Sequence, residues 1–346
     1  MTDVAVRITA VAAEIPPHVV TAAEVEERAG IAARFRLEPG WLERTTGVRR
    51  TRWAPPDMPA SELAVRAARK AVAGAGLPPA DVDALVYAGM TRDCVAPATA
   101  TVVADALGAH RARVFDLTNA SNGVVDALDV ADALIRCGKA ERVVITTGER
   151  GSLAALDRAP TLDALRRAAG VLVAGDAGGA LVVEPSDDRT RGLRARDFRS
   201  APVHWRNAVV GRMRAGSAAC ELCGSVVDRH AACDGPAVLE AVLGLLQPAA
   251  TQVLAATGWD VDDLDVVFSH QPTKRAVEHA LARLGPLADA APKLWSTAER
   301  FGDTTSCSIP LAMAEAAEAG ILVPGAKVLV LAPSFGASAA ALTLVW

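Results

Sequence analysis

With 346 residues the chain is long enough for two core-forming units or one large fused one. It is 51% hydrophobic and carries 36 Lys and Arg against 40 Asp and Glu, interspersed, for a net charge of −4. That balance describes a globular protein and excludes one that neutralises a nucleic-acid backbone. Six cysteines in a chain of this size do not make a disulfide framework, which points to a reducing compartment.

The N-terminal "MTDVAVRITAVAAEIPP" has an acid at position 3 and no basic region before an apolar run, so no signal peptide is expected and the cytoplasm is the predicted location. Amphipathic, Ala-rich stretches then predict helices at 61–75, 98–107 and 122–137, and β-branched apolar runs predict strands at 84–88, 112–117, 142–147 and 179–184. Residues 186–235 are dense in charge, hold several glycines and have weak periodicity, which predicts a cap or lid. Beyond them come helices at 236–257, 273–284 and 307–319 and strands at 264–269, 326–332 and 339–345. The C-terminal "VLVLAPSFGASAAALTLVW" is apolar enough to raise a membrane span. Pro333 and Gly336 interrupt it, so it reads as two buried strands around a turn and no membrane association is expected.

The chain also repeats itself. "AVAGAGLPPADVDALVYAG" (71–89) resembles "VLAATGWDVDDLDVVFSHQ" (253–271), with Gly76 falling on Gly258 and Asp83 on Asp265, a shift of 182 (258 − 76, 265 − 83). The same shift carries Gly138 onto Gly320 and Ser121 onto Asp303. Two copies of one α/β unit follow: an N-terminal half at 1–185, a cap at 186–235 and a C-terminal half at 236–346. Strands alternating with helices predict mainly parallel sheets covered on both faces. If the halves face each other, Ser121 and Asp303 meet near their pseudo-twofold axis.

Three loops that follow strands concentrate reactive side chains, where open α/β sheets bind ligands. They are "TNASNG" with Ser121, "FSHQPTKR" with His270, and "RFGDTTSCSIP" with Asp303. Two readings of Ser121 stand open: a helix cap, for which serine is a preferred residue, or a nucleophile whose acyl ester sits at a helix N-terminus. A serine nucleophile needs a base and an imidazole gains from a carboxylate, so His270 and Asp303 are the matching types. "CELCGSVVDRHAAC" spaces Cys220, Cys223, His230 and Cys233 as zinc ligands can be spaced, against the plainer reading of packed thiols. His204 and Trp205 are candidate pocket residues, or a packed loop. His18, His110 and His279 have no reactive neighbours in sequence.

The order "FDLTNASNG", "SHQPTKR", "FGDTTSCSIP", "SFGAS" resembles the thiolase superfamily, in particular its ketoacyl-acyl carrier protein synthase III branch, along essentially the whole chain. Within that branch "RDCVAPATATVVADALG" and "FDLTNASNGV" look most like the head-to-head condensing enzymes of olefin pathways. The resemblance implies a thiolase-like αβαβα layered fold from two pseudo-symmetric halves, and a homodimer with the strand near 113–118 by the dimer axis. It also implies an acyl thioester of coenzyme A or an acyl carrier protein as substrate, with no metal at the cysteine cluster and no other cofactor.

Condensing members carry Cys, His and Asn. Here Ser121 stands for the Cys and Asp303 for the Asn, while His270 is retained, and Ala96 replaces the glutamate that olefin-type enzymes use as a base. An amide that donates to an enolate is thus exchanged for a carboxylate that repels one. The expected activity is therefore acyl transfer through acyl-Ser121 to a hydroxyl or amine of a small acceptor, in secondary metabolism, with thioester hydrolysis, decarboxylating condensation and a non-catalytic partner subunit as alternatives. The resemblance places the oxyanion on the N–H groups of Ser121 and Ala337. It assigns Trp41, Arg44 (one place out of register), Thr273, Arg275 and Phe335 to substrate binding.

Overall fold

A computed structural model describes residues 4–154, 161–215 and 225–346. In chain order its strands are β1 (Ala5–Glu14), β2 (His18–Thr21), β3 (Arg50–Trp53), β4 (Ala84–Tyr87), β5 (Arg113–Asp116), β6 (Val143–Arg150), β7 (Asp176–Ser186), β8 (Gly192–Ser200), β9 (Ala208–Ala215), β10 (Ser225–Cys233), β11 (Val266–Ser269), β12 (Lys327–Ser334) and β13 (Ser338–Val345). Two sheets carry the architecture: β1-β7-β6-β4-β5 and β11-β12-β13-β8. Strands β4 and β6 of the first sheet, and β11 and β12 of the second, pair in parallel, and each sheet is finished on one side by two antiparallel strands.

Read outward from β4 and β11, the two sheets have the same order, β4-β6-β7-β1 against β11-β12-β13-β8. Even β5 has a trace in the second half, where Leu294 bridges Val267 of β11 in parallel. The repeated aspartates do the same job in both copies. Asp83 accepts from the Arg142 N–H at 2.9 Å just before β6, and Asp265 from the Lys327 N–H at 2.7 Å at the start of β12.

Alternation along the strands divides the core into layers. Val143 and Ile145 of β6, like Val266 and Phe268 of β11, join one central cluster, while Val144 and Val267 point the other way into two outer ones. The central cluster is closed by Val124 and Leu128 of the helix Gly123–Arg136 and Ile309 and Met313 of the helix Ser308–Glu318. Helices Ala60–Gly74 and Thr99–Leu107 cover the first sheet's outer face, and Gly235–Thr257 and Lys274–Ala282 the second's. Five layers result, αβαβα. Strands covered on both sides bury both sets of side chains, which is why they read as unbroken apolar runs.

The boundary after the first half differs from expectation. Of the stretch 186–235 read as a cap, Gly192–Ser200 is β8, paired antiparallel with β13 along the edge of the second sheet. Arg194, Arg196 and Phe198 alternate outward along it, and their exposure hides the strand's apolar face in the sequence. The rest of that stretch holds the antiparallel ribbon of β9 and β10.

Candidate active site

Ser121 follows β5 through a turn in which Ala120 adopts a left-handed backbone, φ 46°. The symmetric position, 302 (120 + 182), is Gly302 with φ 67°. A Cβ there would sit 1.9 Å from the Val173 carbonyl oxygen, so only glycine can bring the chain round to Asp303. Both loops thus approach the central axis by a left-handed step. Backbone in such regions is found disproportionately at functional sites.

The helix after Ser121 begins at Gly123, its N-cap is Asn122, and no side chain caps it. The capping reading of Ser121 is therefore excluded. Its hydroxyl is turned instead to His270, with Oγ 3.1 Å from Nε2. His270 leaves the end of β11 with its backbone N–H on the Leu331 carbonyl. On the other side of the ring, Nδ1 lies 3.3 Å from Ser308 Oγ, which lies 3.2 Å from Thr304 Oγ1. Ser121, His270, Ser308 and Thr304 are all buried. A proton on Nδ1 donated to Ser308 leaves the Nε2 lone pair to accept from Ser121.

Asp303 is brought beside this pair but not into a serine-hydrolase arrangement. Its Oδ1 accepts the Thr305 N–H at 2.7 Å, and the position at Nδ1 that an orienting acid would take belongs to Ser308. The carboxylate acts on the imidazole through its charge. Burial pulls the His270 pKa down, while Asp303 and the Thr305 backbone push it back up. Burial pushes the Asp303 pKa up, opposed by His270 and the Thr305 N–H. Burial thus favours the neutral form of both groups, and in each it is opposed by the charge of the other and by the Thr305 backbone.

The oxyanion assignment is corrected in one member. The Ala337 N–H donates to the Ala201 carbonyl at 3.2 Å and the Ala201 N–H returns the bond at 2.8 Å, continuing the β8–β13 ladder. The Ser121 N–H, by contrast, has no backbone acceptor among the described residues.

A cavity of about 710 Å³ opens at His270 and Asp303 and is lined there by Thr273, Phe335 and Cys233. Thr273 also caps the helix Lys274–Ala282 through Ala276 N–H. Arg275 lies at the mouth, paired with Glu278 at 3.0 Å. Trp41 and Arg44 do not line the cavity. Trp41 packs against the cluster of Val25, Leu42 and Leu165, and the Arg44 guanidinium donates to the Pro39 and Glu38 carbonyls. Thr45, Thr46 and Arg166 line it instead. The one-residue register offset of Arg44 was the sequence signal for this exchange. Ser308 and Thr304, one helical turn apart, escaped the sequence reading because the hydroxyls in "DTTSCS" cannot be ranked without a fold.

Cys220 and Cys223 lie outside the described residues, as does the side chain of His230. Cys233 is partly buried, and burial with the charges of Asp303 and Asp234 pushes its thiol up to about 12. Among the described residues no three His, Cys, Asp or Glu side chains gather as metal ligands. His204 and Trp205 sit on the turn Pro202–Asn207, away from the cavity, with Arg206 stacked on the indole.

Known proteins match this chain along its length. The model for 3-oxoacyl-[acyl-carrier-protein] synthase III covers residues 115–202, and that for the C-terminal part of the same enzymes covers 254–346. Beta-ketoacyl-[acyl-carrier-protein] synthase III of Agrobacterium fabrum is 31% identical over 340 residues, 96% of this chain and 97% of that protein. The enzyme of the same name from Symbiobacterium thermophilum is 31% identical over 99% of this chain and 96% of its own. Among solved structures, 3-oxoacyl-(acyl carrier protein) synthase III, FabH, from Pseudomonas aeruginosa superposes with a TM-score of 0.82 at 28% identity, covering 99% of this chain and 98% of the other. OleA from Xanthomonas campestris has the same fold, with a TM-score of 0.87 at 23% identity over 100% and 99%.

Proposed function

The chain belongs to the 3-oxoacyl-[acyl-carrier-protein] synthase III family of the thiolase superfamily, enzymes of the acyltransferase type, and within that family we propose that it transfers an intact acyl group instead of condensing two. The observation that carries this reading is the Ser121–His270 hydrogen bond of 3.1 Å with a carboxylate, Asp303, beside it where condensation calls for a hydrogen-bond donor.

In the proposed sequence Ser121 Oγ gives its proton to His270 Nε2 and attacks the thioester carbonyl. The Ser121 N–H at the head of the helix Gly123–Arg136 meets the oxyanion. The C–S bond breaks and the thiol leaves with the proton from Nε2. An acceptor hydroxyl or amine then loses a proton to the same nitrogen and attacks the acyl carbon. The ester bond to Ser121 breaks, and Oγ recovers its proton from the imidazole. Serine requires this base more than a thiol does, and a neutral, desolvated imidazole is ready to act.

Decarboxylative condensation would develop a negative enolate oxygen against Asp303. In its anionic form Asp303 has no proton to offer that oxygen. The olefin-type alternative also has no carboxylate at Ala96 to remove an α-proton. The same reading takes coenzyme A or an acyl carrier protein as the donor's carrier, as the names of the relatives indicate, with no metal or other cofactor. It makes the enzyme a cytoplasmic homodimer of secondary metabolism, with β5, the free edge of the first sheet, near the dimer axis.

Intact-mass spectrometry after mixing with a panel of acyl thioesters tests the proposal. Wild type is expected to gain one acyl mass that a peptide map places on Ser121, and that mass is lost again when a hydroxyl or amine acceptor is added. An adduct that persists in Ser121→Ala, or none with any donor, overturns it.

A further inference from the structure

Among the described residues Thr305 is the one β-branched side chain carried on a left-handed backbone, φ 46°. Its hydroxyl is buried and has no hydrogen-bond partner. Both features cost free energy, and such a residue persists only where its surroundings over-determine it. What the conformation secures lies along the backbone. The Thr305 N–H donates to Asp303 Oδ1 at 2.7 Å, and the Cys307 N–H turns back to the Thr304 carbonyl at 2.9 Å. The same turn carries Thr304 and Ser308, whose hydroxyls lie 3.2 Å apart, with Ser308 Oγ 3.3 Å from His270 Nδ1. Asp303, the charged group that acts on the imidazole, thus shares one short segment, 303–308, with the hydroxyl behind the ring.

That segment is held from the other half of the molecule. Ser306, 1% exposed, donates its hydroxyl to Glu149 Oε1 and meets Thr147 Oγ1, both on β6. Glu149 is itself fully buried and also accepts from the Met90 N–H at 2.7 Å, the Thr91 N–H at 3.0 Å and the Thr91 hydroxyl at 2.7 Å. A shift of this carboxylate would strand several buried donors at once, so it serves as a fixed anchor for Ser306.

We propose that Glu149 is a positioning residue of the His270 site: by holding Ser306 it locks Thr305 in its left-handed turn, and through that turn it keeps Ser308 on Nδ1 and so fixes which ring nitrogen carries the proton. Glu149 hydrogen-bonds neither His270 nor Ser121, and it acts on them only through the segment 303–308. The role rests on His270 as the base of the proposed transfer, while the ring itself supplies the readout.

NMR of full-length protein labelled at the histidine ring nitrogens measures the tautomer, with the His270 signals identified by their absence in His270→Gln. At neutral pH wild type is expected to show two well-separated nitrogen shifts, the pattern of a proton held on Nδ1. Glu149→Ala and Ser306→Ala should each lower the ratio of the Nδ1–H to the Nε2–H form about tenfold, the weight of one net hydrogen bond. Glu149→Gln keeps a hydrogen-bonding group against Ser306 and should retain the wild-type ratio. A packing role alone would lower the urea midpoint and leave the ratio unchanged. Should Glu149→Ala not fold by thermal melting, Ser306→Ala removes a single hydroxyl from the same link and decides by itself. A ring already mixed in wild type, an unchanged ratio in folded Ser306→Ala, or a ratio in Glu149→Gln as low as in Ser306→Ala overturns the proposal. If the ratio responds as expected but Ser121 never acylates, the positioning role stands and the transfer reading fails.

Discussion

A buried imidazole is a weaker base than one in water because its charged form has lost hydration, and His270 is such a group. Its neutral form is the one that accepts a proton from Ser121. Acylation is therefore expected to be constant near neutral pH and to fall only as the pH drops through the depressed value of His270, below the ordinary imidazole range. In Asp303→Asn the charge that favours the imidazolium is gone, so the midpoint should move further down; single-turnover acylation followed across pH by quench and mass spectrometry measures both. An upward shift would count against the assigned pair. Ser308 is a positioning residue in this scheme, holding Nδ1 at 3.3 Å. Ser308→Ala should slow acylation on the order of 10-fold and lower the same midpoint, and Ser308→Thr should restore both. A packing role alone would leave the midpoint in place.

At the scale of elements, the site hangs on two turns at equivalent places in the repeat. Gly302 cannot carry a side chain without meeting the Val173 carbonyl, and its backbone is left-handed. Gly302→Ala is expected to destabilise the fold on the order of 3 kcal/mol, read from the urea midpoint, with acylation lost in step. Much of this level was legible in the residues. Gly76, Gly138, Gly258 and Gly320 punctuate the helices, Asp83 and Asp265 tie the strands that follow, and their common spacing gives the repeat. The same spacing set Ser121 against Asp303. What stayed hidden depends on contacts remote in sequence. The strand β8 is masked by its outward arginines, and the use of the Ala337 N–H by Ala201 cannot be read from either segment alone. The hydroxyl behind His270 is of the same kind, since Ser308 meets Nδ1 only once β11 and the helix Ser308–Glu318 are packed.

Across the whole molecule, the halves are joined by more than their shared apolar layer. Glu149, fully buried on β6, accepts from the Met90 N–H at 2.7 Å and the Thr91 N–H at 3.0 Å in its own half and from the Ser306 hydroxyl in the other. Burial pushes its pKa up and those donors oppose the shift. Removing the carboxylate strands several buried donors at once, so Glu149→Ala should cost on the order of 3 kcal/mol in urea unfolding, and Glu149→Gln less. Ser306 is next to Thr305, whose N–H holds Asp303, so this link between halves ends at the candidate site. Duplication, layered packing and a site on the seam are therefore parts of one arrangement. The change of chemistry proposed for this chain lies at one point of it.

That change is tested most directly by counting labelled carbon dioxide released from a malonyl thioester by wild type and by Asp303→Asn. Transfer chemistry predicts no release above background from wild type and a measurable gain in the variant, whose amide can donate to the enolate. Release by wild type, matched mole for mole by a new carbon–carbon bond, would contradict it.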